Sequence, residues 1–202
     1  MTVSWIPHRF SGGVLALDTA NTVVLRIDTQ KTFDRFDDPA EIGRFSEAAS
    51  IFCAAELGGR KLEVRDPHKI APVVVSIREA TDRLFRGAAK ERAMESSALP
   101  AFLNACAAGL SASSTLVGAP GKPFGDPATP IAFEAALAVS ALSLLAPNAV
   151  ERLKICPNCG WLFMDRSRNS SRLWCDMAVC GNRRKASRHY GRRKSAREVF
   201  DV

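Results

Sequence analysis

Histidine and tyrosine are scarce in this chain: His8, His68 and His189 lie far apart, and Tyr190 is the only tyrosine among 202 residues. No Walker loop, GxGxxG, GxSxG or HExxH pattern occurs, so the phosphate loops and hydrolytic sites that these patterns mark are missing. We therefore expect a protein that is not an enzyme. No apolar run reaches the roughly 20 residues that a membrane span requires, and the longest, 131–147, contains Glu134. The opening MTVSWIPHRFSGG has neither the basic start nor the apolar stretch of a secretory signal. The expected location is the cytoplasm, with no membrane partner. With 47% hydrophobic and 24% charged residues, the composition is that of a globular protein, which excludes wholesale disorder and a disulfide-dense miniprotein.

Acidic residues are few in the last quarter. Residues 152–202 hold 13 Lys+Arg against 4 Asp+Glu, a net of +9, whereas residues 1–151 hold 15 against 17, a net of −2. This step predicts a near-neutral body over 1–150 and a basic module over 151–202. The module's partner should be polyanionic, nucleic acid ahead of a membrane surface.

Cysteine concentrates in the same module. Cys156, Cys159, Cys175 and Cys180 follow the spacing C-x2-C-x15-C-x4-C. In a reducing compartment this spacing predicts four thiolates on one zinc ion per chain. A redox-active CxxC would account for the first pair and leave the second unexplained. Four protein ligands complete a tetrahedron with no position open to water or substrate, so the zinc is expected to be structural. Cys53 and Cys106, in IFCAAEL and LNACAAG, read as small buried core residues.

Between the two pairs, 161–164 read as a strand, 166–171 as a turn and 172–174 as a returning strand, a hairpin over the metal. Gly181 and Asn182 read as the entry to a helix over 183–197. Knuckle, hairpin and helix in that order describe a treble-clef-like zinc finger. On the helix, Arg184, Lys185, Arg188 and Arg192 share a sector about 100° wide. Eight basic residues and no acid lie between 183 and 197. Phosphate contacts are expected there, with Asn182 and Arg183 at the helix entry placed to approach base edges.

The run from Cys156 to Lys194 includes Phe163, Asp165, Ser167-Arg168-Asn169, Arg172, Trp174-Cys175, Lys185-Ala186, Arg188 and Tyr190. It resembles the CGNR zinc finger, named for the residues that here are Cys180, Gly181, Asn182 and Arg183. In that family the finger follows an alpha/beta region, the ABATE domain. Its signature is similar to Phe10-x-Gly12-Gly13-x-Leu15-x-Leu17-Asp18-x-x-Asn21-Thr22 here, with Thr19 where the family usually has an aromatic residue. The resemblance implies a bacterial, stress-linked transcriptional regulator with no enzymatic activity attached to the family.

In the body, Gly12-Gly13 followed by 14–17 reads as a turn into a short buried strand or helix, with Asp18, Asn21 and Thr22 at its polar end. These three, with Arg78 as a charge partner for Asp18, are candidate small-molecule ligands. The other reading has them capping a helix or fastening a loop. Helices are predicted over 38–56, 67–92, 97–109 and 133–146 from apolar residues spaced by three and four. Residues 114–117 and 130–133 read as the two strands of a hairpin. The expected fold class is α+β, a mainly helical body with a short β-hairpin, followed by the small four-cysteine zinc finger. No long linker separates the two, so they should pack together.

Three functions fit these residues. One is a regulator that binds double-stranded DNA while its body senses a small-molecule effector or forms a homodimer. The second is an RNA-binding or ribosome-associated module, since the same basic ridge suits A-form phosphates. The third is an enzyme or scaffold with a structural finger. The first is the expectation that the residues carry furthest.

Overall fold

Helices carry the body: α1 (Leu15–Ala20), α2 (Ala40–Phe52), α3 (Pro67–Glu91), α4 (Leu99–Ser111), α5 (Phe133–Ser143) and α6 (Pro147–Arg152), in a computed structural model that describes residues 2–111 and 128–186. Local chemistry sets their ends. The Asp66 carboxylate accepts from the Lys69 N–H at 3.1 Å and Pro67 takes the first helical position, so α3 begins where its sequence satisfies a free amide. α2 stops at Phe52, short of the predicted Glu56. There Glu56 turns away to accept from the Leu15 N–H at 2.6 Å and the Ser140 hydroxyl at 2.5 Å. The predicted 97–109 helix is split into a 3-10 turn, Ser96–Ala98, and α4.

α5 is the centre. Phe133, Ala135, Ala136, Leu137, Ala138 and Ala141 are all fully buried, and the polar Glu134 and Ser140 are buried beside them, so the helix is covered on nearly every side, with α1, α3 and α4 against it. The small residues allow close approach. A Cβ at Gly109 of α4 would lie 2.7 Å from Ile77 Cδ1 and 2.8 Å from Glu134 O, so only glycine lets α4 come this near α3 and α5. Cys53 and Cys106 are buried in this core. No helix among the described residues is long and apolar enough to cross a membrane.

The strands are short and differ from expectation. β1 (Val23–Val24) and β2 (Phe33–Asp34) form an antiparallel hairpin. β3 (Leu62–Glu63) pairs in parallel with β4 (Ile131–Ala132), so the segment around 131 joins a strand far back in the chain and not a hairpin neighbour. Its expected partner, 114–117, lies outside the described residues. The Arg60 side chain steadies this pairing by donating to Thr129 O at 2.5 Å.

In the finger, β5 (Leu153–Ile155) and β6 (Leu162–Met164) pair antiparallel across the first cysteine knuckle. The strand at 161–164 is present, but its partner precedes Cys156, and 172–174 is not a strand. The reason is a buried ion pair. Asp165, wholly buried, accepts from Lys154 Nζ at 2.7 Å, Ser167 N at 2.9 Å and Arg172 N at 2.8 Å. Lys154 Nζ also donates to the carbonyls of Ser170 and Arg172 at 2.5 and 3.1 Å. The backbone groups of this loop are thus satisfied by side chains, and no ladder forms. Burial alone would push the Asp165 carboxyl up; Lys154 and the Ser167 and Arg172 donors outweigh it and hold the group below the usual carboxylate range.

The second cysteine pair leads into a helix that starts earlier than Gly181. The Asp176 side chain accepts from Ala178 N and Val179 N and caps a π-helical turn, Met177–Gly181, which continues as helix over 182–186. A cap five residues upstream of Gly181 makes Cys180 part of the first turn.

Candidate metal centre and its seat on the body

The four predicted ligands come together. Their sulfurs all lie within 4.8 Å of one another, with Cys159 and Cys175 at 3.5 Å and Cys175 and Cys180 at 3.6 Å. A zinc ion with sulfurs at about 2.3 Å sets them about 3.8 Å apart, so one ion fits this cluster. Cys156, Cys175 and Cys180 are buried, and Cys159 is half-buried. All four donors are thiols from the chain itself, which suits structural zinc and leaves no open position.

Each half of the centre has its own support. In the first knuckle, Cys156 N donates to Trp161 O and Gly160 N to Cys156 O, both at 2.8 Å, and Gly160 adopts the left-handed φ of 74° that closes the turn. In the second, Arg172 stretches its guanidinium 5.3 Å over the Phe163 ring and donates to the carbonyls of Trp174 and Cys175. Trp161, Phe163 and Trp174 pack around the sulfurs as a small apolar cluster of the finger's own.

Strand β6 has two faces. Trp161 and Phe163 belong to the cysteine cluster, whereas Leu162 and Met164 belong to the main core of the body. This period-two alternation seats the finger on the body. Met164 N donates to Gly12 O at 2.8 Å, and a Cβ on Gly13, whose φ is 91°, would meet Met164 Cβ at 3.3 Å. Asn21 Nδ2 donates to Leu162 O at 2.8 Å and Asn21 Oδ1 accepts from Leu162 N at 3.0 Å. The glycines and Asn21 of the N-terminal signature therefore meet the finger directly.

The four body residues singled out from the sequence do not form one site. Arg78 is paired with Asp34, in two bonds of 2.7 and 2.6 Å, and with Glu79 at 2.8 Å, and donates to Thr22 Oγ1 at 3.2 Å. The expected Asp18–Arg78 pair is absent because β2 places Asp34 against α3. Asp18 instead accepts from Gly12 N at 2.7 Å, with the Cys53 thiol at 3.6 Å. Burial raises its carboxyl well above the usual range, and the nearby Glu56 charge adds to the rise against these donors. Thr22 donates to Thr19 O at 2.8 Å, and Thr19, buried in the aromatic's place, donates to Leu15 O at 2.8 Å. Fastening within the fold is what these contacts do.

On the finger, Asn182, Arg183, Arg184 and Lys185 are all exposed on the helical segment 182–186, with Asn182 Nδ2 donating to Ala178 O at 2.9 Å. Arg188 and Arg192 lie outside the described residues, as does Tyr190.

Sequence reasoning missed three side chains at the seam. His8 Nδ1 is 2.8 Å from Asp176 Oδ2, and its ring stacks on Trp161 at 5.3 Å. Arg86, held by Asp82 at 2.7 and 3.0 Å, donates to Gly160 O at 2.7 Å. Arg35 lies 5.5 Å over the Trp161 ring, and burial pushes it down to about 10, with the charge of Arg9 adding to the fall. No local pattern marks these residues, since each finds its partner across at least 74 positions of chain or through a ring face.

Comparisons with known families agree with this construction. The CGNR zinc finger model matches residues 152–193. The ABATE model, described as "Putative stress-induced transcription regulator", matches residues 13–154. No curated protein matches the chain. The two matches meet in β5, the strand that pairs with β6 to form the seat. Carrying both in this order, the chain belongs to the ABATE family, with a CGNR zinc finger at its C-terminal end.

Proposed function

We propose that this protein is a DNA-binding transcriptional regulator that works in the cytoplasm and catalyses no reaction. The finger, residues 151–202, contacts the duplex, and the body, residues 1–150, senses a small molecule or pairs with a second copy. The observation that carries the reading is the exposed run Asn182, Arg183, Arg184 and Lys185, leaving the metal centre immediately after buried Cys180. It lies within the segment from residue 152 onward, whose net charge is +9. The zinc centre supplies rigidity at the root of that run. Arg184, Lys185, Arg188 and Arg192 are assigned to phosphates, and Asn182 and Arg183 to base edges. Shared hairpin β5–β6 gives the body a mechanical route to the finger.

The test is anisotropy or gel shift with the zinc-loaded full chain at one salt concentration. Duplex from the DNA upstream of its own coding sequence should compete better than random duplex, and both better than structured RNA of equal length. A preference for the RNA would replace the reading with an RNA-binding one.

A further inference from the structure

Where the Pro7–Phe10 turn, the β1–β2 hairpin and the finger meet, a cavity of about 320 Å³ opens, walled by His8, Arg9, Arg35, Trp161 and Arg183 beside the ligand Cys159. Its lining residues carry three guanidinium groups, and two of these residues hold donors that lack acceptors. Arg9 Nη1 and Trp161 Nε1 are buried with no hydrogen-bond partner, and Trp161 is only 5% exposed. Among the described residues, none of Arg9, Arg35 and Arg183 makes an ion pair. Arg35 donates to one backbone carbonyl, Asn21 O, at 3.3 Å and otherwise lies over the rings of Phe33 and Trp161.

The nearby carboxylates are engaged elsewhere. Asp176 faces His8, and Glu41 accepts from Val3 N, Trp5 Nε1 and Arg44. A zinc ion with four thiolates brings a formal −2, which three guanidinium charges exceed. Buried donors without acceptors are costly, and guanidinium forks match the oxygens of phosphate.

We propose that this cavity binds a phosphate group. A carboxylate offers two oxygens in one plane, whereas a tetrahedral phosphate presents oxygens toward donors arriving from the N-terminal turn, the hairpin and the finger together. Its volume lies at the small end of the roughly 300–1,000 Å³ typical of ligand pockets. The phosphate belongs either to a free small molecule or to a nucleic-acid backbone. In both cases it bridges body and finger. The inference rests on the ligand-sensing half of the proposed function only for what binding accomplishes; binding itself is measured without DNA.

The experiment follows the Trp161 indole N–H by NMR in the zinc-loaded full chain, at constant ionic strength, titrated with inorganic phosphate, then pyrophosphate, then a random duplex. We expect a saturable shift with phosphate, weakened at least tenfold in Arg9→Gln and in Arg35→Gln while each variant keeps one zinc. A duplex that competes for the same shift assigns the group to the backbone; a duplex that leaves phosphate binding intact assigns it to a free ligand. Absence of a saturable shift with all three probes overturns the proposal. So does an Arg35→Gln protein that loses zinc affinity yet binds phosphate as before, because the arginines then serve only the metal. Phosphate binding that persists in a protein with no affinity for DNA would sink the regulator reading and leave this site standing.

Discussion

Asn21 holds both backbone groups of Leu162, donating to its carbonyl at 2.8 Å and accepting from its amide at 3.0 Å across 141 positions of chain. This pair decides which face of β6 turns inward. Leu162 enters the body core while its neighbours Trp161 and Phe163 turn to the cysteines.

Asn21→Ala should therefore cost about 2–4 kcal/mol, since two buried backbone groups lose partners at about 1–3 kcal/mol each. Urea denaturation of the zinc-loaded protein measures it, and metal content should stay at one equivalent. Asn21→Asp should be no better, because it sets a carboxylate against the Leu162 carbonyl. A loss under about 1 kcal/mol would show that the clamp does not hold the seat.

The metal prediction concerns Cys175, fully buried and in contact with the sulfurs of both Cys159 and Cys180. Cys175→Ser should reduce zinc from one equivalent to well below it, measured by metal analysis after dialysis. The finger's own apolar cluster is too small to persist without the ion, so near-ultraviolet signals of Trp161 and Trp174 should fade. The body's helical signal should largely remain. Full zinc retention would contradict the four-thiolate site.

Asp18 gives a prediction for pH. Its carboxyl is raised by burial, and Glu56 is raised by burial as well. The folded state then holds these protons to higher pH than the unfolded chain, so stability falls as pH climbs above the usual carboxylate value of about 4. Asp165 acts oppositely, its stabilisation being lost only as pH falls through its depressed value. Urea midpoints should decline for the natural protein as pH climbs above about 4 and decline less in Asp18→Asn, where Glu56 alone remains raised. An unchanged slope would remove Asp18 from the account.

Salt dependence tests the exposed run. Each phosphate contact contributes about 0.9 to the slope of log K against log salt. Replacing Arg184 or Lys185 by Gln should weaken binding to all duplexes alike and flatten the slope by about that amount per contact. Asn182→Ala should alter preference among sequences with little change of slope. Variants of both cations with the parental slope would place the phosphate contacts elsewhere.

Much of this protein is written in short-range patterns. Cysteine spacing alone pointed to a four-thiolate zinc centre, and the charge step at residue 152 marked the cysteine-bearing segment as basic. Apolar spacing of three and four located α2, α3, α4 and α5 to within a turn, because a helix satisfies its hydrogen bonds from nearby residues. Even the missed hairpin of β1 and β2 and the Asp176 cap had local signals, in the alternation at 23–34 and in an aspartate just after Cys175. Tertiary structure decided the rest. Whether Arg78 meets Asp18 or Asp34, whether β6 pairs with 153–155 or 172–174, and whether Asn21 awaits a ligand or grips Leu162 all depend on which surfaces meet in space. The side chains involved have the same donors and acceptors in either arrangement. Only the packing of α1 and β6 against one core selects the partner, by leaving the alternative acceptors out of reach and the chosen ones buried, where an unmade hydrogen bond is costly.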